Sequence, residues 1–160
     1  MKKIALLLLF AVFMLTACNN KKILLDEERT FTNDVWNRFT PEVFEVNIDN
    51  PDDYYHVTFE VEVDTALMRG DGFPMLVKLY SPGGERRTFR SGLTLRQNGR
   101  WKGENNGAYR LVGDRVKAFF SFNAKGTHRM EVSQATSQYD MEGVHMLRVV
   151  VERAKLDYPE

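Results

Sequence analysis

The sequence predicts an all-β chain: a single antiparallel β-sandwich, jelly-roll-like, behind a cleaved leader. Three observations predict it. Apolar and polar residues alternate over several separate stretches, most regularly Tyr55, Val57, Phe59, Val61 and Val63 against His56, Thr58, Glu60 and Glu62, and a period of two marks a strand with one dry and one wet face. Turn chemistry rich in Gly, Pro, Asn and Asp recurs about every 8–12 residues, as between the strands of a sandwich. No stretch after the leader carries a convincing helical pattern.

The leader explains itself. Lys2 and Lys3 precede an apolar run from Ile4 to Met14, followed by Leu15-Thr16-Ala17-Cys18. A basic start, a short apolar core and a small residue before the cut make a secretory signal. The run spans roughly 16 Å as a helix, against about 30 Å for a bilayer core, so it is too short for a comfortable membrane span. The four residues look like a bacterial lipobox. Cleavage then falls between Ala17 and Cys18, and Cys18 becomes the lipidated first residue. Acyl chains bind a membrane through about 0.8 kcal/mol per buried methylene, and two or more hold durably. The expected division is a signal peptide at 1–17, a lipidated N-terminus and tether at 18–28, the sandwich at 29–155 and a tail at 156–160. Asn19 does not resemble an aspartate retention signal, and no acidic cluster directly follows Cys18, so a periplasm-facing outer-membrane lipoprotein is expected.

Composition narrows the classes. The chain has 160 residues, with 22 basic and 22 acidic side chains and one cysteine. That length suits one domain with one core. Losing Lys2 and Lys3 leaves a slight acidic excess, which argues against a dedicated nucleic-acid binder. A lone cysteine excludes an intramolecular disulfide and a thiolate metal cluster.

The elements follow in order. Ile23 to Phe31 reads as a first edge strand. Trp36 reads as a core plug over one end of the sheet, in an irregular stretch closed by Pro41. Phe44, Val46 and Ile48 alternate as a strand. Asp49-Asn50-Pro51-Asp52-Asp53 is a turn, with calcium binding by its carboxylates as the lesser reading. Tyr55 to Val63 is the clearest strand. Arg69-Gly70-Asp71-Gly72 is turn chemistry. Met75 to Tyr80, apolar on both faces except at Lys78, reads as a central strand covered on both sides. Ser81-Pro82-Gly83-Gly84 turns the chain back.

Arg86 to Gln97 reads as a basic strand bulged near Gly92. Arg86, Arg87, Arg90, Arg96 and Arg100 form a basic strip. It either protects an edge strand by charge or meets lipid headgroups or an acidic partner. Trp101 and Tyr109 flank a loop rich in Asn and Gly. Packing is the plainer role for Trp101, and sugar stacking by these rings the functional one. Val116, Ala118, Phe120 and Phe122 alternate as a further strand, Ala124 to Thr127 reads as a hairpin turn, and Met130 and Val132 share one face of the next strand. After a polar loop from Ser133 to Met141, Leu147, Val149 and Val151 complete the set.

Catalytic chemistry has no constellation here. His56, His128 and His145 sit on different strands without ligand-like spacing and read as surface or boundary residues. There is no Gly-x-Ser-x-Gly elbow and no phosphate-cradling glycine loop. Glu60 and Glu62 are explained as the wet face of their strand. No catalytic residue, metal or cofactor is assigned. The candidate contact residues are Trp101, Tyr109, Arg86, Arg87 and Arg90.

Read together, Ser81-Pro82-Gly83-Gly84, Gly99-Arg100-Trp101-Lys102-Gly103, Ala124 through Ala135, and Met141-Glu142-Gly143-Val144 leading into Arg148-Val149-Val150-Val151-Glu152 are similar to the gliding-motility lipoprotein H (GldH-like) family. The order and spacing of these short motifs carry the resemblance, and the lipobox completes it. The resemblance implies a Bacteroidetes-type envelope lipoprotein, an accessory of gliding machinery and of the associated type IX secretion apparatus, with protein partners in the envelope and no enzymatic activity. The alternative from the residues alone is a glycan-binding lipoprotein module.

Overall fold

The computed structural model describes residues 22–155. The lipidation and cleavage residues Ala17 and Cys18, and the tail 156–160, lie outside them. Thirteen strands follow in chain order: β1 (Ile23–Thr30), β2 (Val35–Asn37), β3 (Glu42–Ile48), β4 (Tyr55–Val63), β5 (Gly72–Tyr80), β6 (Arg86–Thr94), β7 (Arg96–Gln97), β8 (Arg100–Trp101), β9 (Glu104–Asn106), β10 (Tyr109–Phe120), β11 (Gly126–Gln134), β12 (Asp140–Glu142) and β13 (Val144–Arg153). A short 3-10 turn occupies Thr32–Asp34.

Eight of these strands are long: β1, β3, β4, β5, β6, β10, β11 and β13. One sheet runs β1-β13-β4-β10-β9 and the other β3-β11-β5-β6. The first long strand lies beside the last, and the second beside the seventh. The third sits between the eighth and the sixth, and the fourth between the seventh and the fifth. This nested wiring is that of a jelly roll, two Greek keys folded into two sheets. Pairing is antiparallel throughout.

Alternation supplies the core. Val57, Phe59, Val61 and Val63 of β4 and Leu147, Val149 and Val151 of β13 bury their side chains with Phe44, Val46 and Ile48 of β3, Phe73, Met75, Val77 and Leu79 of β5, and Met130 and Val132 of β11. Burying each such side chain contributes about 1.5–3 kcal/mol. A one-residue slip of β4 would turn its five buried apolar side chains, Tyr55 included, outward and draw Thr58, Glu60 and Glu62 in. Trp36 is the expected plug. Its ring stacks between Phe31 at 4.9 Å and Phe73 at 5.9 Å, and its Nε1–H donates to the Thr40 carbonyl at 3.1 Å.

Several expectations change. β5 is covered on one face only: Phe73, Met75, Val77 and Leu79 are buried, while Pro74 is exposed and Leu76 half-exposed. Its apolar composition overstates burial, because among the described residues no further sheet or helix covers the outside of its sheet. No bulge breaks β6 at Gly92; the β5–β6 register is continuous from Gly72 opposite Thr94 to Tyr80 opposite Arg86. The glycine serves proximity instead, since a Cβ there would stand 3.1 Å from the Phe73 carbonyl oxygen. Ala124 to Thr127 is not a hairpin. β10 and β11 belong to different sheets, so the segment crosses between them. β1 begins at Ile23, so residues 23–28 belong to the sheet and not to the tether.

The register also orients the molecule. Ile23 opposes Glu152 and Thr30 opposes Met146, and the Arg153 amide donates to the Lys22 carbonyl at 2.7 Å. The chain therefore enters the sandwich at the end that holds Arg153 and the 49–53 turn. The β2–β12 pair lies at the opposite end, roughly 25 Å away along β1 at about 3.3 Å per residue.

Candidate functional site at the capped end

The far end of the sandwich is closed by β2 and β12, where Trp36 pairs with Met141. The turn leading in is strained: Asn33 and Asp34 have φ of 56° and 55°, a region that Asn and Asp tolerate better than most residues. The strain aims the Asp34 carboxylate at two partners. Oδ1 lies 2.8 Å from His145 Nδ1, and Oδ2 accepts from the Tyr109 hydroxyl at 3.0 Å. Tyr109 stacks on the His145 ring, with centroids 4.0 Å apart and planes 11° apart. The hydrogen bond to Asp34 pushes the Tyr109 phenol above its ordinary pKa. The cluster ties β10 and β13 to the turn after β1.

Trp101 is held elsewhere. It pairs with Arg96 across β7 and β8, and the Arg96 guanidinium sits 4.1 Å above its ring. The ring is half-buried against the core. The following Gly103 has φ of +73°, and a Cβ there would fall 1.9 Å from the Leu111 carbonyl oxygen. Only glycine lets this segment lie on β10. Trp101 and Tyr109, the two rings of the alternative sugar-stacking reading, are each engaged by a different internal partner, Arg96 and His145.

The arginine strip divides. Strand alternation sends Arg86 and Arg90 outward, while Arg87 turns to the other face of β6. There its Nη1 donates to the Ser121 carbonyl at 3.0 Å and its guanidinium lies 4.9 Å from the Phe120 centroid. Arg87 thus closes the seam between the two sheets. β6 is the edge of its sheet, as the protective reading expects.

Arg90 lines a groove of about 260 Å³ on the outer face of the four-stranded sheet, with Arg38, Phe39, Leu76, Lys78 and Ala135. Beside it stand Phe39 and Tyr139, 70% and 68% exposed, their rings 5.7 Å apart. Arg38 covers Phe39 at 5.6 Å. Tyr139 also borders a second groove of about 370 Å³ lined by Leu67, Met68 and Met141. Sequence reasoning did not single out this aromatic pair. The available signal was two large rings set in the polar runs Asn37-Arg38-Phe39-Thr40 and Gln138-Tyr139-Asp140, with no alternating apolar neighbours to bury them.

Arg153 answers the acidic turn. It reaches Asp49 at 2.6 Å and Asp53 at 3.1 Å, and its hydrogen bond lowers the Asp49 pKa. Among the described residues no group of three or more His, Cys, Asp or Glu is placed to hold a metal ion. His128 is not a boundary residue; β11 turns it into the core beside Phe122. His56 is buried as well.

The sequence matches the family described as GldH lipoprotein over residues 23–149. No curated protein matches it. Among solved structures, that of Eiger TNF from S. frugiperda is similar over 88% of this chain and 98% of that one, at 11% identity and a TM-score of 0.38.

Proposed function

The chain belongs to the GldH lipoprotein family, and from that premise we propose that it is a lipid-anchored, non-catalytic accessory of gliding motility and the associated type IX secretion apparatus. Acyl chains on Cys18 hold it in the outer membrane, facing the periplasm, and the jelly roll presents its surfaces to other envelope proteins. The observation that carries the reading is the extent of the family match, which runs from the start of β1 into β13, directly behind a lipobox at Leu15 to Cys18. Trp101 and Tyr109, the rings of the glycan alternative, are engaged by separate partners, Arg96 and His145.

The test is a deletion strain scored for colony spreading and for secretion of type IX cargo, alongside labelling of the protein with radioactive palmitate. Both activities are expected to fall, and to return with the intact gene. A deletion that spreads and secretes normally, or a product that takes up no label, would overturn the proposal.

A further inference from the structure

We propose that the outer face of the four-stranded sheet, at its capped end, docks an extended acidic segment of a partner protein. The inference rests on the accessory reading above and names the surface and the chemistry of the contact. Cross-strand register sets the floor: Ser133 of β11 lies opposite Leu76 of β5, which lies opposite Arg90 of β6. Lys78 stands two residues farther along β5 and points to the same side. Arg38 and Phe39 close the groove at the capped end.

The cations decide the chemistry. Among the described residues, Arg38, Lys78, Arg86 and Arg90 have no carboxylate within ion-pair distance, whereas Arg29 and Arg129 have one each and Arg148 and Arg153 two each. Glu131, directly opposite Lys78 across β11 and β5, is held by Arg129 at 2.6 Å and by the Tyr80 hydroxyl at 3.2 Å. Glu45, exposed on β3, sits at the far edge of the sheet. The opposite outer face is different in kind. There Arg148 is answered by Asp26 and Glu60, and Glu28 and Glu62 add further negative charge. An acidic ligand is therefore drawn to one face and repelled by the other.

The aromatic pair decides the form. Two rings so exposed, beside a stacked arginine, have the composition of an interface hot spot. Side chains of an extended peptide repeat on one side every roughly 7 Å, close to the roughly 7–8 Å cross-strand diagonal between Lys78 on β5 and Arg90 on β6. A peptide offers acid and apolar contacts together. Headgroups of the anchoring leaflet do not suit the position, because the aromatic pair lies at the end away from the entry of the tether.

The experiment uses the full-length lipoprotein in detergent and a fluorescein-labelled dodecapeptide of alternating Glu and Tyr. Anisotropy is expected to show saturable binding that weakens with salt. The double variant Lys78→Glu/Arg90→Glu, and separately Phe39→Ser, are expected to weaken it at least tenfold. Arg100→Glu, away from the groove, is expected to leave it unchanged. All four positions are at least partly exposed, and an unchanged melting temperature verifies the fold. No binding, equal binding by all variants, or binding only to vesicles of anionic phospholipid would overturn the proposal. So would concentration-dependent dimers abolished by the same changes, which would assign the face to a second copy. The same variants are returned to the deletion strain. If they restore spreading and secretion in full, the docking face is wrong while the accessory role stands. If the deletion itself has no phenotype, the role fails first.

Discussion

Arg148 grips Asp26 with two parallel hydrogen bonds, Nε to Oδ1 at 2.7 Å and Nη2 to Oδ2 at 2.8 Å. The contact joins β1, the strand behind the tether, to β13, and Arg148 also reaches Glu60 on β4 at 2.9 Å. One guanidinium thus staples three strands of the outer face.

That staple is partly solvent-exposed, and exposed pairs contribute little. Asp26→Asn is expected to cost about 0.5–1 kcal/mol, the upper part of the range for exposed pairs because the fork is bidentate. The hydrogen bond from Arg148 lowers the Asp26 pKa below its usual 3.8. The contribution is therefore complete above that value and lost as pH falls through the lower folded value. Urea titrations of the two proteins at neutral pH and near pH 3 should show the difference shrinking in acid.

Gly103 admits no side chain. Its φ of +73° and the Leu111 carbonyl oxygen 1.9 Å from a built Cβ both oppose one. Gly103→Ala is expected to cost at least about 2 kcal/mol, from strain and from displacing the segment off β10. Chemical denaturation would read this as a lower midpoint. An unchanged midpoint would mean that the segment does not lie on β10 in solution.

His128 makes the core acid-sensitive. Burial is the main cause that lowers its pKa below 6.5, and Arg87 adds to it, against a contact with the Gly126 carbonyl that raises it. Its Nε2 is buried and has no hydrogen-bond partner among the described residues. The unfolded chain takes up a proton near pH 6.5 that the folded chain refuses, so stability is complete above that pH and falls below it. His128→Phe should flatten this loss between pH 6.5 and 5. A residual slope is expected from His56, also lowered by burial. Melting temperatures across that range would check it; equal slopes would refute it.

Trp101 should ignore sugars. Arg96 lies on the face of Trp101, the ring packs partly on the core, and Trp36 is buried. Emission should stay constant on titration with soluble envelope polysaccharide. Arg96→Ala is expected to shift it to the red as water reaches the ring.

Much of this architecture was legible in the residues. The alternation of Val57 through Val63 and of Leu147 through Val151 locates two central strands, because a period of two permits one dry face and little else. Pro82-Gly83-Gly84 marks a true hairpin. Trp36 reads correctly as a plug, since so large a ring with no alternating neighbours needs an end of the sheet to cover. β5 misled because apolar composition does not reveal whether a second layer lies above it. Ala124 to Thr127 misled because the same turn chemistry serves a hairpin and a crossing between sheets.

What the sequence determined by itself is local: which residues alternate, where the chain turns, and the leader pattern ending at Cys18. Each depends on neighbours a few positions apart. What only the tertiary structure decided is partnership at long range. It brings Arg87 to the Ser121 carbonyl, joins Asp34 to Tyr109 and His145, and sets Phe39 beside Tyr139 in water. Those outcomes follow from which strand lies beside which. In a jelly roll most neighbouring long strands are distant in the chain, so no short window of sequence contains both partners of such a contact.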